Sequence, residues 1–261
     1  MARKHVNYDV EHRIAIVTID HPPVNSLNTD VVGELSDVFK ELEPKKDVGA
    51  VVITGGGQKA FMAGADIRMF KDLIGKREKI FEVVMQMQDC FTSIENFDKV
   101  VIAAINGLAL GGGCELAVAC DIRIAAENAV IGVPEVKLGI IPGAGGTQRL
   151  ARLLGKGRAK MMILGGGFFS AQDALGMGLV EKVVPSGEAV NEAKNLAKDF
   201  LSRGPLAIRN GKRAINEGTN MTLEKGLIRE AELVADLFMT EDVKEGVDAF
   251  FEKRQPVFKA K

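Results

Sequence analysis

Residues 106–121 read Asn-Gly-Leu-Ala-Leu-Gly-Gly-Gly-Cys-Glu-Leu-Ala-Val-Ala-Cys-Asp, a glycine triplet between two apolar stretches. Glycine has no Cβ, so the backbone of the triplet can approach a bound ligand closely. The apolar residues after Gly113 predict a helix, and the unpaired N–H groups at the start of a helix favour negative charge. This loop can therefore stabilise an oxyanion that develops during a reaction.

Two glutamates follow Gly- or Pro-rich turns. Glu115 lies in the first turn of the predicted helix, where a carboxylate on its own is more simply a dipole-compensating residue than a catalytic one. Glu135 lies 20 residues further on, after Pro134, which suits the first turn of a short helix. One such group can take a proton from water while the other gives one, so the two glutamates are candidates for an acid/base pair.

A third stretch, Lys-Ala-Phe-Met-Ala-Gly-Ala-Asp-Ile at residues 59–67, follows the strand-like run 50–54. Gly64 and Ala65 allow close backbone approach, and Asp66 suits the start of a helix. An ordinary strand-to-helix turn of an α/β fold has the same composition, and both interpretations stay open from these residues alone.

Together these stretches closely resemble the crotonase (enoyl-CoA hydratase/isomerase) family. The matching motifs are Phe-Met-Ala-Gly-Ala-Asp-Ile at 61–67 and Ile-Asn-Gly-Leu-Ala-Leu-Gly-Gly-Gly-Cys-Glu-Leu at 105–116. Two more are Pro-Glu-Val-Lys-Leu-Gly-Ile-Ile-Pro-Gly-Ala-Gly-Gly-Thr-Gln-Arg-Leu at 134–150 and Phe-Glu-Lys-Arg-Gln-Pro-Val-Phe at 251–258. The resemblance extends from residue 21 to the C-terminal tail, with the motifs in the family's order.

The resemblance implies a lyase of fatty-acid metabolism, an enoyl-CoA hydratase. Such an enzyme adds water to trans-2-enoyl-CoA thioesters and gives 3-hydroxyacyl-CoA. Glu115 then corresponds to the main base for the attacking water and Glu135 to the main proton donor. Since both carboxylates are expected to contact one water, the two roles belong to the pair. The backbone N–H groups of Ala65 and Gly112 correspond to the family's oxyanion hole.

The same resemblance implies further contacts with the acyl-CoA substrate. Arg68 stands where relatives often carry lysine, a change that keeps the charge and alters phosphate geometry. No metal or redox cofactor is expected, because coenzyme A is part of the substrate. The candidate substrate-binding residues are Ala63, Ala65, Asp66, Ile67, Arg68, Gly112 and Gly143.

Two other functions are compatible with the family. A Δ3–Δ2 enoyl-CoA isomerase moves one proton and can work with a single acid/base residue, so the presence of both glutamates favours the hydratase. An RNA-binding member would need a basic surface. The basic cluster at 203–213 offers one, but acidic Glu217 and Glu224 follow it, which favours a solvated helix face.

Composition narrows the class of protein. The chain has 261 residues, 46% of them hydrophobic, and a formal net charge of −1, which gives no electrostatic reason to expect nucleic acid or an anionic membrane as partner. The longest apolar run, near 100–110, is too short to span a membrane. Cys90, Cys114 and Cys120 form neither a disulfide framework nor a zinc pattern. We expect a cytoplasmic protein or, alternatively, an organellar matrix protein whose transit peptide has been removed.

Hydrophobic periodicity predicts an α/β core over residues 1–185 and a helical region over residues 186–261. By resemblance the core is a set of repeated ββα units, and the helical region mediates self-association into trimers or dimers of trimers, that is, hexamers. The strands are expected at Val6–Val10, Ile14–Ile19, Ala50–Thr54, Lys99–Ile105 and Ile122–Ala125. Helices are expected at Thr29–Leu42, at Met69–Ile94 with a break around Lys71–Lys79, after Gly113 and Pro142, and four times after Pro185.

Overall fold

The computed structural model describes residues 3–261. These divide into two compact units, one formed by the residues up to 97 together with 101–195, the other by 98–100 together with 196–261. The division falls within a helix, Ala189–Leu201. The domain boundary expected after residue 185 stays a prediction.

The strands and helices are as follows, in chain order. The strands are β1 (Val6–Glu11), β2 (Ile14–Ile19), β3 (Ala50–Gly55), β4 (Ala60–Ala63), β5 (Val100–Ile105), β6 (Leu108–Leu110), β7 (Ile122–Ala126), β8 (Val130–Gly132), β9 (Phe168–Ser170) and β10 (Lys182–Val184). The helices are α1 (Thr29–Leu42), α2 (Arg68–Lys71), α3 (Arg77–Glu95), α4 (Gly112–Ala119), α5 (Gly146–Gly165), α6 (Ala171–Met177), α7 (Ala189–Leu201), α8 (Pro205–Gly218), α9 (Leu223–Phe238) and α10 (Glu241–Glu252), with a 3₁₀ helix at Pro134–Leu138.

The first unit contains a six-stranded sheet in the order β1-β2-β3-β5-β7-β10. β1 and β2 form the predicted antiparallel hairpin, and His12 and Arg13 at its tip both have positive φ, as a two-residue turn of type I′ requires. The pairs β2–β3, β5–β7 and β7–β10 are parallel. β3 and β5 are buried along their whole length, which explains their uninterrupted apolar sequences.

A second sheet, in the order β4-β6-β8-β9, was not predicted from the sequence. Its strands have only three or four residues each, too few for an alternating pattern to emerge. β4–β6 and β6–β8 are parallel, whereas β8–β9 is antiparallel. Because β4 and β6 are parallel, the Gly-rich turns that follow them lie at the same end of this small sheet, where the two strands finish.

The predicted helices of the first unit are confirmed, with details that the sequence left open. α1 has the predicted bounds, and its cap is Asn28, whose side chain accepts a hydrogen bond from Val31 N at 2.9 Å. The predicted break after residue 71 separates α2 from α3. α5 is itself interrupted at Gly155, whose φ of 76° and ψ of 158° are not helical. None of the helices in the described range is long and apolar enough to cross a membrane.

The second unit is helical, as predicted. Asn210 of α8 donates a hydrogen bond from Nδ2 to the carbonyl of Leu233 in α9, at 3.1 Å. Buried Asp242 accepts hydrogen bonds from Lys259 N at 2.7 Å and Ala260 N at 2.9 Å, which fixes the C-terminal tail against α10. Large apolar side chains on α9 and α10 nevertheless stay exposed in this unit, among them Phe250 and Phe251.

Candidate active site

The site lies where two parallel strands of the small sheet end. β4 and β6 are in register at Ala63 and Leu110, and Ala65 and Gly112 each follow two residues later. Ala65 forms a parallel bridge with Leu27, in which Leu27 bonds to Gly64 O and Asp66 N. The N–H of Ala65 is therefore directed away from Leu27. Gly112 is the first residue of α4, so its N–H has no partner within the helix.

Close packing explains the glycine triplet. A Cβ on Gly113 would lie 1.9 Å from the carbonyl oxygen of Met62, the third residue of β4, so only glycine lets α4 begin at this distance. Gly111 has a φ of 52°, and a Cβ there would lie 2.8 Å from Oε1 of Glu135. The triplet thus brings the start of α4 against both β4 and the second glutamate.

Glu115 is 3% exposed. Its Oε1 accepts a hydrogen bond from the backbone N–H of Gly146, the first residue of α5, at 2.8 Å. The partner of this carboxylate is therefore the start of a different helix, and the dipole-compensating interpretation of Glu115 is incomplete. Burial raises the pKa of Glu115 to about 7, the Gly146 N–H opposes the rise, and the charge of Glu135 adds to it. A carboxyl group with this pKa can take or give a proton at neutral pH.

Glu135 lies in the 3₁₀ helix Pro134–Leu138, in the first turn, as its position after proline predicted. Its Oε2 is buried and has no hydrogen-bond partner among the residues that the structure describes. Burial raises the pKa of Glu135. Because a buried carboxyl oxygen without a partner is costly, this atom is available to a water molecule or a ligand.

The turn at residues 142–146 connects the 3₁₀ helix to α5 and supplies the Gly146 N–H. Two side chains hold its carbonyl groups: Gln88 Nε2 donates to Gly143 O at 2.7 Å, and Arg149 donates to Ala144 O at 3.1 Å. Sequence reasoning missed both residues. Gln88 has the appearance of a surface residue on an amphipathic helix, and only its spacing with Thr92 and Glu95 could have indicated a polar face.

Apart from Gly143, the remaining candidate substrate-binding residues lie at the end of β4 or directly after it. Ala63 is the last residue of β4, and Ile67 is 58% exposed although it is apolar. Asp66 and Arg68 form a bidentate ion pair, with Arg68 Nη2 2.6 Å from Asp66 Oδ2. The hydrogen bonds from Arg68 lower the pKa of Asp66 to about 2. Gly143 faces α3 instead, since a Cβ there would lie 3.6 Å from Val84 Cγ2.

Cys114 is adjacent to Glu115 but is fully buried, and burial raises the pKa of its thiol well above the usual range. A buried thiol of this kind is a packing residue and not a nucleophile. Within residues 3–261, no cluster of histidine, cysteine, aspartate and glutamate side chains could hold a metal ion.

The sequence matches the family described as enoyl-CoA hydratase/isomerase over residues 9–261. It is 44% identical to a short-chain-enoyl-CoA hydratase of Clostridium acetobutylicum, over 98% of this chain and 97% of the relative. It is 43% identical to a crotonyl-CoA hydratase of Syntrophomonas wolfei over 100% of both chains. Among solved structures, the enoyl-CoA hydratase from Bacillus anthracis superposes with a TM-score of 0.93 at 40% identity, covering 99% of this chain and 100% of that one.

The raised pKa of Glu115 predicts how stability depends on pH. An ordinary glutamate has a pKa of 4.5 and buried Glu115 about 7, so between these values the folded state binds more protons than the unfolded state. The contribution of Glu115 to the free energy of unfolding therefore falls as pH rises from 4.5 to 7. The side chain at residue 115 cannot ionise in Glu115→Gln. The free energy of unfolding of this variant, measured with urea and compared with that of the wild type, should therefore be about 3 kcal/mol more favourable to the variant at pH 8 than the same comparison gives at pH 4.5.

Glu127→Gln, at an exposed glutamate, is the matched control and should follow the wild type at both pH values. Equal pH dependence in Glu115→Gln and the wild type would contradict the raised pKa.

Proposed function

The chain belongs to the enoyl-CoA hydratase/isomerase family and is an enzyme with hydratase activity, and from that premise we propose that Glu115 and Glu135 add water across the double bond of a 2-enoyl-CoA thioester. The observation that carries the proposal is the coupling of buried Glu115 to half-buried Glu135: both carboxyl groups have a raised pKa, and the buried Oε2 of Glu135 has no hydrogen-bond partner among the described residues. Water placed between the two would satisfy that oxygen.

The pair needs one proton between its members before the reaction begins. Ionised Glu115 takes a proton from water as the water oxygen bonds to C3 of the substrate, and protonated Glu135 gives its proton to C2. The product is the 3-hydroxyacyl thioester, and a proton transfer from Glu115 to Glu135 restores the pair. Raised pKa values in both residues support such sharing near neutral pH, and the titration belongs to the pair.

Addition at C3 moves negative charge onto the thioester oxygen. We assign the stabilisation of this charge to the N–H groups of Ala65 and Gly112, which follow β4 and β6 at equal distance from the register pair Ala63–Leu110. Backbone donors fixed in a sheet and at a helix start need no reorganisation when the charge develops. No metal ion or redox group has a part in this chemistry.

For the substrate, we propose short 2-enoyl-CoA thioesters, because the two relatives are named as short-chain-enoyl-CoA and crotonyl-CoA hydratases. Exposed Ile67 and Arg68, next to the proposed oxyanion donor Ala65, suit the contact with the coenzyme A portion. Asp66 accepts hydrogen bonds from the Arg68 guanidinium, so a phosphate that binds Arg68 has to share it with this carboxylate.

The two glutamates distinguish a hydratase from an isomerase. Glu115→Gln and Glu135→Gln keep the side-chain shape and remove proton exchange, and each should lower kcat on crotonyl-CoA by about 10²–10⁴. The double variant should lose much less than the product of the two factors, because groups that act as a unit are not additive. The measurement is the loss of the conjugated thioester absorbance.

An isomerase gives a different pattern. One of the two single substitutions would have little effect on activity, the other would abolish it, and the wild type would act on 3-enoyl rather than 2-enoyl thioesters. A wild-type protein that hydrates no 2-enoyl-CoA would overturn the proposed function.

A pair of substitutions at Gly112 tests the oxyanion donors. Gly112→Pro removes the N–H and should lower kcat by about 10²–10³, the usual loss for one oxyanion donor. Gly112→Ala keeps the N–H, and its Cβ is tightly placed against one atom alone, Cδ2 at the end of the buried Leu27 side chain, 2.8 Å away, which a small shift of that methyl group relieves. The alanine variant should therefore retain most of its activity. Circular dichroism of both variants checks the fold, and equal rates in two folded variants would place the oxyanion donors elsewhere.

We also propose that the protein assembles into trimers, paired as hexamers. The support is the family resemblance together with the apolar side chains that the second unit leaves exposed, a larger set than an isolated helical unit usually carries. They are Leu223, Leu227, Ile228, Val234, Phe238, Met239, Phe250 and Phe251.

Light scattering at micromolar concentration should give a mass three or six times 28.0 kDa. Replacing Phe250 and Phe251 together by glutamate should lower this mass, because burying the new charges in an interface is unfavourable. Lys244→Ala, at an exposed position of the same helix, is the control and should leave the mass unchanged. A fully active monomeric wild type would contradict the proposed assembly.

A further inference from the structure

One face of α3 carries polar side chains at residues 88, 92 and 95, spaced by four and three residues. All three bond to the beginning of α5 or to the turn that precedes it. Gln88 Nε2 donates to the carbonyl of Gly143 at 2.7 Å. Thr92 Oγ1 and Glu95 Oε2 accept hydrogen bonds from Arg149 Nη2, at 3.1 and 2.8 Å.

Arg149 connects α3 to the turn. Its side chain is 12% exposed, and besides Nη2 it uses Nε to donate to Glu95 at 3.0 Å and Nη1 to donate to Ala144 O at 3.1 Å. Gly145, with a φ of 110°, makes room for it, since a Cβ there would lie 2.1 Å from Arg149 Nη1. The planar guanidinium thus binds the turn on one side and α3 on the other.

The turn held in this way contains the hydrogen-bond donor to Glu115. Gly143 and Ala144 offer their carbonyl groups to Gln88 and Arg149, and Gly146 N bonds to Glu115 Oε1 at 2.8 Å. A Cβ on Gly146 would lie 2.9 Å from that oxygen, so the backbone is closer to the carboxylate than a residue with a Cβ readily permits. Displacement of the turn would therefore displace the carboxyl group.

We propose that Gln88 and Arg149 are positioning residues, which fix the turn at residues 142–146 and through it the carboxylate of Glu115. The inference rests on the proposed role of Glu115 in water addition. Neither side chain needs to contact the substrate. Gln88 fixes the turn through a neutral hydrogen bond, and Arg149 through a fork that bonds the turn and α3 at once.

The test is a double-mutant series measured on crotonyl-CoA. Gln88→Leu should lower kcat by about 10-fold with little change in KM, because small misplacement of a catalytic group is costly whereas the acyl-CoA contacts remain. In the Glu115→Gln background the same substitution should cost less than about 2-fold, since the group that it positions no longer exchanges protons.

Arg149→Lys tests whether the geometry of the fork matters. Lysine keeps the positive charge near Glu115 but cannot bond Ala144, Thr92 and Glu95 together, so kcat should again fall about 10-fold. Gln86→Leu on α3 and Arg152→Met on α5 are matched controls, since Gln86 is exposed and, among the described residues, Arg152 donates its side-chain hydrogen bonds to Gln148 alone. Both should keep the wild-type rate.

Hydrogen exchange of the peptide that contains residues 143–150 gives a readout independent of turnover. Gln88→Leu and Arg149→Lys should increase exchange at the Gly146 amide, whereas the two controls should not. Equal losses of kcat in the wild-type and Glu115→Gln backgrounds, or no loss in either, would overturn the inference about positioning. The proposed function would still hold in that case, provided that the wild type hydrates 2-enoyl-CoA. If the wild type hydrates no 2-enoyl-CoA, the proposed function fails, and hydrogen exchange then tests the positioning of the turn by itself. Faster exchange at the Gly146 amide in Gln88→Leu and Arg149→Lys would support the positioning, and unchanged exchange would overturn it.

Discussion

The contact between Gly113 and the carbonyl of Met62 is the constraint on which the rest of the site depends. With α4 beginning so close to β4, the strand ends of β4 and β6 lie side by side, and the N–H groups of Ala65 and Gly112 follow from the register of that pair. The same approach carries Glu115 inward on the first turn of α4 and leaves it 3% exposed. A Cβ at residue 113 would move α4 away from β4, and with it the Gly112 N–H and the Glu115 carboxylate away from the N–H of Ala65.

Burial of Glu115 has an electrostatic cost that backbone hydrogen bonds and the charge of Arg149 offset only in part. The Gly146 N–H stabilises the ionised form, but burial and the charge of Glu135 oppose it, and the pKa of Glu115 rises to about 7 as a result. Full compensation by several N–H groups would give a carboxylate with a low pKa, unable to exchange protons at neutral pH. Incomplete compensation therefore gives Glu115 a pKa that suits the acid/base role we propose for it, and it makes the position of the Gly146 N–H important.

Much of this fold could be predicted from the sequence, because long elements leave clear periodic signals. The hairpin at β1–β2, the helix Thr29–Leu42 and the helical end of the chain were all expected, with bounds correct to a few residues. The small sheet was missed because three residues such as Leu108–Leu110 cannot show alternation. Its pairing is decided by contacts between segments far apart in the chain, which periodicity does not record. The candidate site likewise contains residues that the sequence reveals and residues that only the folded structure reveals. Glu115, Glu135, Ala65 and Gly112 lie in conspicuous motifs and could be named from the amino-acid sequence alone, although their roles remain proposals. Gln88 could not be named from the sequence, because its hydrogen bond goes to the carbonyl of a residue 55 positions away. Its neighbours in the chain do not distinguish it from a solvated polar residue on a helix.

The interruption at Gly155 divides α5 into two halves whose surroundings differ. The first half begins with the N–H that bonds to Glu115, while the second half exposes Met161 and Leu164. A continuous helix would transmit any rotation or shift of its distal end along the hydrogen-bond ladder to its first turn. With non-helical angles at Gly155 the ladder is broken, so the distal half can adapt to whatever contacts it while the hydrogen bond between Gly146 N and Glu115 at the other end stays in place.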